Sequence, residues 1–382
     1  MRVYLDHNAT SPLREEVLDS MTRILRDVHG NPSSVHEEGR SARAAVDCAR
    51  ASVASLIGAD ADDVLFTAGA TEANNTVLLG MADAHVGEVR HIVTSAAEHP
   101  SIDAPLERLE AEGWRVTRVG VDSEGLLDEE QFERAIEADT ALVSILWANN
   151  ETGVLQPIKR IAALARAKGV PFHTDATQAI GKTPVDLREV PVDFLSLSAH
   201  KFNGPKGVGC LIVRGDTAFE PILHGGPQER GRRGGTENVA ACVGLGVACE
   251  LAERELPGRM RDSAELRDRL WEGIEAKIPG VRRNGSTDRV LSNTLNVEFE
   301  GAAGELLLQA LDIEGIAVSS GAACHSGSVE PSKVLVAMGC SPESARGSIR
   351  FSVGYGNDAA QLDHLLRLLP DLVERARQAV GA

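Results

Sequence analysis

Short apolar stretches alternate with amphipathic ones over most of the chain. The apolar stretches are rich in Val, Ile, Leu and Phe, which is typical of strands in a buried sheet. The stretches between them repeat apolar residues at helical spacing. Strands are predicted at 64–66, 91–93, 141–147, 170–172, 194–197 and 210–213, and helices at 15–26, 34–57, 101–112, 129–138 and 158–168. This alternation predicts an α/β domain with a mostly parallel sheet.

The pattern of hydrophobic and polar residues changes after Leu256-Pro257-Gly258. A charged helix is predicted at 260–278, a strand at 293–299, and a terminal helix from about Asp358. We therefore expect a large α/β domain over residues 15–257 and a smaller α+β domain formed by residues 1–14 and 258–382. Within the large domain, Ser34 and Glu37 have the spacing of a capping box, which predicts a helix start there.

Composition and charge narrow the class of protein. The chain has 382 residues, 43% hydrophobic and 25% charged, as expected of an ordinary globular protein. It carries 39 Lys and Arg against 56 Asp and Glu, and a net charge of -17 repels nucleic acid. No apolar run approaches the roughly 20 residues of a membrane span. Asp6 interrupts the N-terminal stretch where a secretion signal would continue. We expect a cytoplasmic protein without membrane or nucleic-acid partners.

The six cysteines are scattered, without a C-x-x-C pair or zinc-finger spacing. A disulfide scaffold and a structural metal are therefore disfavoured. Cys242 and Cys249 lie two helical turns apart among small apolar residues, and we expect both to be buried in helix packing.

Three small-residue segments follow predicted strands. In the first, the strand at 64–66 leads into Gly69, Ala70 and Thr71, and Thr71 is placed to cap a helix that begins at Glu72. Free N–H groups at a helix start bind anions such as phosphate. The segment Gly181-Lys182-Thr183 lacks the upstream glycine of a nucleotide-binding P-loop, so a nucleoside triphosphate is not the expected ligand.

The other two segments carry ionisable groups at strand ends. Lys201 follows the strand at 194–197, where it is either a surface lysine on a turn or a buried lysine whose lowered pKa makes the neutral amine available for a Schiff base. Asp175 stands at the carboxyl end of another strand, where it can either cap a helix or bind a cationic partner. A phosphate cradle, a nucleophilic lysine and a strand-end carboxylate together are the anchors that pyridoxal 5'-phosphate requires.

With these motifs in view, the chain resembles the class V aminotransferase-like cysteine desulfurases of the NifS/IscS type over almost its whole length. The matching stretches are YLDHNAT (4–10), GNPSS (30–34), ATE (70–72), EHP (98–100), NNETG (149–153), HTDA (173–176), SAHK (198–201), RRGGTEN (232–238), SSGAACHSGS (319–328) and SIRFS (348–352). The resemblance implies a homodimeric fold-type-I transferase dependent on pyridoxal 5'-phosphate. It also implies a mostly parallel, seven-stranded type of sheet and conversion of L-cysteine to L-alanine, with the sulfur kept as a persulfide.

The same resemblance implies the roles of individual residues. Lys201 would hold the cofactor as a Schiff base, Asp175 would pair with the ring nitrogen, and Gln178 would donate to the ring hydroxyl. His99 would stack on the ring and move protons. The remaining roles are phosphate binding for Ala70, Thr71, Ser198 and His200, and phosphate binding in the neighbouring subunit for Thr236. Asn150 would bind both cofactor and substrate, and Arg350 would bind the substrate carboxylate.

Cys324 lies in a stretch, 319–328, that has no large apolar side chain to fix it against a core. We expect a mobile loop in which Cys324, beside His325, reaches the thiolate state and takes the sulfur atom. The chain departs from the usual family pattern at Ala322 and His325. No resident metal is expected, although Cys324 or His325 could ligate a transient cluster.

Two alternatives stay open at this point. One is a selenocysteine lyase or another class V enzyme of the same fold, and the other is a non-catalytic partner protein of a sulfur pathway. The expected acceptor is a protein such as an iron–sulfur scaffold. Nitrogenase maturation, tRNA thiolation and DNA phosphorothioation draw on the same chemistry, and the active-site residues do not distinguish among them.

Overall fold

The computed structural model describes residues 1–85, 90–215, 217–320, 324–325 and 328–379, and at residues 324–325 and 328–329 the description is of the main chain. A seven-stranded sheet dominates the fold, in the order β2-β8-β7-β6-β5-β3-β4. Its strands are β2 (Val64–Thr67), β3 (His91–Ser95), β4 (Arg115–Val119), β5 (Thr140–Ser144), β6 (Phe172–Asp175), β7 (Phe194–Ser198) and β8 (Gly209–Val213).

Only β8 runs against its neighbours in this sheet, so the mostly parallel α/β architecture is confirmed. The strand β4 at one edge was not predicted, because its sequence alternates with charged residues. Consecutive strand residues point to opposite faces, and neighbours such as Leu142 and Val143 enter two different apolar cores.

Helices cover both faces of the sheet. One core joins the sheet to α2, α6 and the first part of α7, and the other joins it to α3 and α4. The helices of this part of the chain are α1 (Glu15–Asp27), α2 (Glu37–Ile57), α3 (Ala70–Ala84), α4 (Pro100–Ala111), α5 (Glu129–Ala135), α6 (Ile158–Ala167) and α7 (Val239–Lys277). Three short 3-10 helices span Ala61–Asp63, Ala199–Lys201 and Gln228–Gly231.

A separate apolar core forms around a second, antiparallel sheet of order β14-β10-β9. Val3 and Leu5 join this core because the N-terminal strand β1 pairs with β11. The remaining elements are β1 (Val3–Tyr4), β9 (Val281–Asn284), β10 (Thr294–Phe299), α8 (Gly304–Ile313), β11 (Ile316–Ala317), β12 (Cys324–His325), β13 (Ser328–Val329), α9 (Lys333–Ala337), α10 (Pro342–Arg346), β14 (Ser348–Ser352) and α11 (Ala359–Gln378).

Three helix starts differ from the sequence-based expectation. Helix α2 begins at Glu37 and is capped by His36, whose Nδ1 accepts from the Gly39 N–H, so the capping box at Ser34 was wrong. Helix α3 begins at Ala70 without a side-chain cap, and Thr71 is therefore its second residue. The helix expected from residue 260 is the second half of α7.

Helix α7 runs unbroken through Pro257. A proline inside a helix removes one hydrogen bond. Here the helix continues because both halves are held by packing: the first half lies in the core of the large sheet, and Leu270 and Ile274 enter the core of the small one. Within the described ranges, no helix is both long enough and apolar enough to cross a bilayer.

Candidate active site

A cavity of about 610 Å³ lies at the carboxyl edge of the large sheet. The strands β2, β3, β5, β6 and β7 all end at this edge, where ligands of α/β sheets bind. Nine of the predicted site residues line the cavity: Ala70, Thr71, His99, Asn150, Asp175, Gln178, Ser198, His200 and Lys201. The lining also includes Thr10, Ser101, Thr177 and Lys206, to which the sequence analysis gave no role.

Lys201 ends the 3-10 helix that follows β7. Its Nζ donates to the main-chain oxygens of Asn8 at 2.8 Å and Ala9 at 2.9 Å, and both of these acceptors are uncharged. Burial, reinforced by the positive charge of Arg350, lowers the pKa of Lys201 to about 8, although Asp175 opposes the shift. The amine is therefore much closer to its nucleophilic, neutral form than an exposed lysine would be.

Asp175 is the last residue of β6 and is only 7% exposed. One carboxylate oxygen accepts from the Thr177 N–H at 2.9 Å, and the other accepts from Asn74 Nδ2 at 2.8 Å. Each oxygen keeps a lone pair for a further donor. A carboxylate oriented in this way at a cavity wall suits a cationic N–H of a ligand.

His99 is the N-cap of α4, and its Nδ1 accepts from the Ser101 N–H at 3.1 Å. Because Nδ1 is an acceptor, the neutral ring carries its proton on Nε2. Burial lowers the pKa of His99, and the charge of Lys201 acts in the same direction while Asp175 acts against it. His99 is therefore neutral at physiological pH.

Asn74 and Ser101 connect the two groups just described. Asn74 Nδ2 donates to Asp175 and also to Ser101 Oγ at 2.8 Å, and Ser101 Oγ lies 2.8 Å from His99 Nδ1. Sequence reasoning missed both residues. The available signal was Asn74 itself, which is an amide in an otherwise largely apolar face of α3 and is completely buried.

The first turn of α3 forms one end of the cavity. Gly69, which precedes the helix, has a φ of 154°, a conformation that favours glycine. The first N–H groups of α3 have neither intrahelical partners nor a side-chain cap, so they are available to an anion. Ser198 Oγ lies close to Gly69, and Lys206 and His200 line the same cavity. Burial and nearby lysines lower the pKa of His200 to about 4, so its ring is neutral.

These residues fit pyridoxal 5'-phosphate. The α3 end of the cavity offers N–H and hydroxyl donors to a phosphate, Lys201 offers an amine to an aldehyde, and Asp175 offers a carboxylate to a ring N–H. In addition, the buried Thr177 hydroxyl on the cavity wall has no hydrogen-bond partner among the described residues. Such a group calls for a ligand atom.

Gln178 and Arg350 are already engaged with the protein. Gln178 Nε2 donates to the Asn8 oxygen at 2.8 Å. Arg350 is 5% exposed and lies behind the cavity wall, where it donates to Asp6 Oδ1 at 2.6 Å and to the Asn150 oxygen at 2.9 Å. Its Nε has no partner among the described residues. Through Asn150, Arg350 adjoins the cavity without being part of its lining.

Thr236 and Cys324 are the two remaining predicted site residues. Thr236 is exposed and does not line the cavity. Cys324 opens the short strand β12, where its main chain pairs with Val329 of β13. The side chains of Cys324 and His325, and residue Ala322, lie outside what the structure describes.

The sheet topology and the side chains at its carboxyl edge define a fold-type-I transferase. A family model described as Aminotransferase class-V matches residues 3–365. The chain belongs to this family, and within it to the cysteine desulfurases, as its relatives indicate. It is 47% identical over 376 residues to a cysteine desulfurase of Enterobacter agglomerans, covering 98% of this chain and 93% of the relative.

Two further comparisons agree. The cysteine desulfurase IscS of Methanosarcina thermophila is 44% identical over 375 residues, covering 98% of this chain and 93% of that protein. A solved structure described as a NifS-like protein superimposes with a TM-score of 0.93 at 36% identity, covering 98% of this chain and all of that one. The predicted family and fold type are therefore confirmed.

Proposed function

We propose that this cysteine desulfurase converts L-cysteine to L-alanine with Lys201, Asp175, His99 and Cys324 as its working residues, and that Cys324 receives the sulfur as a persulfide. The observation that carries the proposal is that Lys201 and Asp175 line the same cavity and that the pKa of the lysine is lowered to about 8. A buried, partly neutral amine beside a held carboxylate is what attachment of an aldehyde cofactor needs.

Pyridoxal 5'-phosphate, when bound, supplies a ring that withdraws electrons from the Cα of an attached amino acid. Asp175 would hold the ring nitrogen in its protonated, electron-withdrawing state. Lys201, once released from the cofactor, would take the proton from Cα as a neutral amine and return it later. His99 would present its Nε2–H to the substrate side of the cavity, since its Nδ1 is occupied by Ser101.

The phosphate group would lie at the first turn of α3, with Ser198, His200 and Thr71 around it. Since His200 is neutral, the positive charge near that end comes from Lys206, which lines the cavity, together with the helix N-terminus. Gln178 and Asn150 would contact the ring, and Arg350 would bind the substrate carboxylate once it turns from Asp6.

The sulfur step belongs to Cys324. Its thiolate would attack the substrate sulfur, so that a S–S bond forms while the C–S bond breaks and the bonding electrons remain with carbon. The carbon is then protonated, alanine leaves, and Cys324 retains the extra sulfur. We infer that the persulfide is passed to an acceptor protein, and the relative named IscS favours an iron–sulfur scaffold as that acceptor.

We also propose a homodimer in which Thr236 serves the partner's cavity, since this residue is exposed and does not line its own cavity. The separate apolar cores support a large domain over residues 15–257 and a small one formed by residues 1–14 and 258–382.

Two variants test the proposal. Lys201→Ala should lose the visible absorbance of covalently held cofactor. Cys324→Ser should bind the cofactor and L-cysteine normally but form no protein persulfide and release no sulfide in the presence of a reductant. The matched control is Cys340→Ser, a cysteine in the same domain that contacts Arg282. Wild-type sulfide release by the Cys324→Ser protein would reject Cys324 as the nucleophile.

A further inference from the structure

The segment that carries Cys324 is fixed at its beginning to Arg350. Ser319 and Arg350 form an antiparallel bridge, in which the Ser319 N–H donates to the Arg350 oxygen at 3.2 Å and the Arg350 N–H donates to the Ser319 oxygen at 2.6 Å. This places the start of the segment beside the residue that we assign to substrate binding.

The same segment is fixed at its end by a side-chain contact. The hydroxyl of Ser332 donates to the Glu151 carboxylate and accepts from the Leu335 N–H at 3.1 Å. The same hydroxyl therefore caps α9 and links the start of that helix to Glu151. Ser332 is 2% exposed and Glu151 is 9% exposed, so water does not compete for this bond.

The two attachment points meet at Asn150, which forms part of the cavity wall. Arg350 donates to the oxygen of Asn150, which lines the cavity, and Glu151 follows directly. The turn is held by Asn149, whose Oδ1 accepts from the N–H groups of Glu151 at 2.8 Å and Thr152 at 2.9 Å. Ser319 and Ser332 are thus both held at this wall, and Cys324 stands between them in the sequence.

Glu151 is an unusual choice for a purely structural contact. Within the described residues it forms no ion pair, and burial raises its pKa to about 7 even though Ser332 and Arg350 act against the rise. A buried carboxyl without a charged partner is costly, so an apolar side chain would serve stability better. The group's value lies in the defined direction of its hydrogen bond.

We propose that Glu151 is a positioning residue for sulfur transfer: its bond to Ser332 fixes the returning end of the Cys324 segment against the wall that holds the substrate. The inference rests on the proposed role of Cys324. Releasing Ser332 from this wall would therefore slow sulfur transfer but leave substrate binding intact.

The test separates the two steps in the cofactor-loaded, full-length protein. Persulfide formation on Cys324 is followed by mass spectrometry in a single turnover, and L-cysteine binding is followed by its effect on the visible absorbance of the cofactor. Ser332→Ala should slow persulfide formation by about tenfold with cysteine binding little changed. Ser341→Ala is the matched control, because Ser341 caps α10 through the Ser344 N–H without contacting the wall.

A second pair of variants distinguishes geometry from charge. Glu151→Gln retains a carbonyl oxygen for the Ser332 hydroxyl and should keep most of the persulfide rate, whereas Glu151→Ala should behave as Ser332→Ala does. This pair also decides the question if Ser332→Ala does not fold.

Three outcomes would overturn the inference: a wild-type rate in both Ser332→Ala and Glu151→Ala, an equal loss of cysteine binding and persulfide formation, or a slowing of the same size in Ser341→Ala. Absence of persulfide from the wild-type Cys324 is a different result. It would reject the proposed nucleophile, and the inference with it.

Discussion

Asn74 donates a hydrogen bond of 2.8 Å to Asp175, from a helix on one side of the sheet to the end of a central strand. The bond fixes the carboxylate plane at the wall of the cavity. Since the Asn74 amide also donates to Ser101, which contacts His99, one buried side chain orients both of the groups that we expect to face the cofactor ring.

Asn74→Leu should therefore weaken cofactor binding. The leucine is close in size but leaves one oxygen of Asp175 without its donor, and a hydrogen bond to a charged group contributes ~1.5–3 kcal/mol. We expect the dissociation constant for pyridoxal 5'-phosphate to rise by about tenfold or more, measured by equilibrium titration of the cofactor-free protein. The neighbouring Asn75→Leu is the control, because among the described residues the Asn75 side chain bonds only to the Thr71 oxygen. Equal affinities in the two variants would contradict the role of Asn74.

The pKa of Lys201 leads to a pH-dependent prediction. In the cofactor-free protein this amine should become reactive as the pH rises through about 8, well below the 10.5 of an ordinary lysine, because only the neutral form is a nucleophile. Acylation of Lys201 by a small anhydride, followed by peptide mass spectrometry, should show this midpoint. The exposed Lys333 provides the reference within the same sample. A shared midpoint for the two lysines would contradict the effect of burial.

The sequence was sufficient for the sheet and for the groups at its carboxyl edge. Lys201 and His99 each follow a strand, Asp175 ends one, and parallel strands bring their ends together. This is why nine predicted residues meet in one cavity although they are dispersed over 132 positions, from Ala70 to Lys201.

The sequence was not sufficient for contacts between distant side chains. The hydrogen bonds between Asn74 and Ser101 and between Glu151 and Ser332 depend on tertiary packing. The hydrophobic periodicity of the sequence does not specify that packing. Local sequence rules also failed at two helices. The ring of His36 caps α2 in place of Ser34. Helix α7 continues through Pro257 because both of its halves are held by packing.

Glu98 should be replaceable by glutamine. Its Oε1 accepts from the Leu146 N–H at 3.0 Å, which joins the turn before His99 to the segment after β5. Burial raises the pKa of Glu98 well above its usual range, and the negative charges of Asp175 and Asp103 add to the rise. The raised pKa favours the protonated, neutral acid, which an amide of the same shape resembles.

The sign of the pH effect follows from that shift. The pKa of this carboxyl is higher in the folded protein than in the unfolded chain, where it is about 4.3, so the stability of the wild type relative to Glu98→Gln falls as the pH rises. We expect the melting temperature of Glu98→Gln to rise relative to that of the wild type between about pH 5 and pH 8. Glu107→Gln, on the exposed side of α4, should show no such trend. A difference independent of pH would mean that Glu98 is ionised in the fold.

Replacing one partner of the buried ion pair between Arg50 and Glu229 should destabilise the fold more than replacing both partners. Their two hydrogen bonds measure 2.8 and 2.9 Å, both side chains are at least nine-tenths buried, and Glu229 also accepts from the Phe66 N–H at 3.1 Å. Arg50→Met leaves a buried charge without a partner and should lower the free energy of unfolding by ~3–5 kcal/mol.

Adding Glu229→Gln to Arg50→Met should restore part of this loss, because the amide oxygen still accepts from Phe66 while the stranded charge is gone. Denaturant titration of the two variants measures the difference. The surface pair of Arg108 and Glu112 supplies the control, since Arg108→Met should cost less than about 1 kcal/mol. A double variant less stable than Arg50→Met alone would show that Glu229 keeps a further partner in the fold and needs its charge even without the arginine.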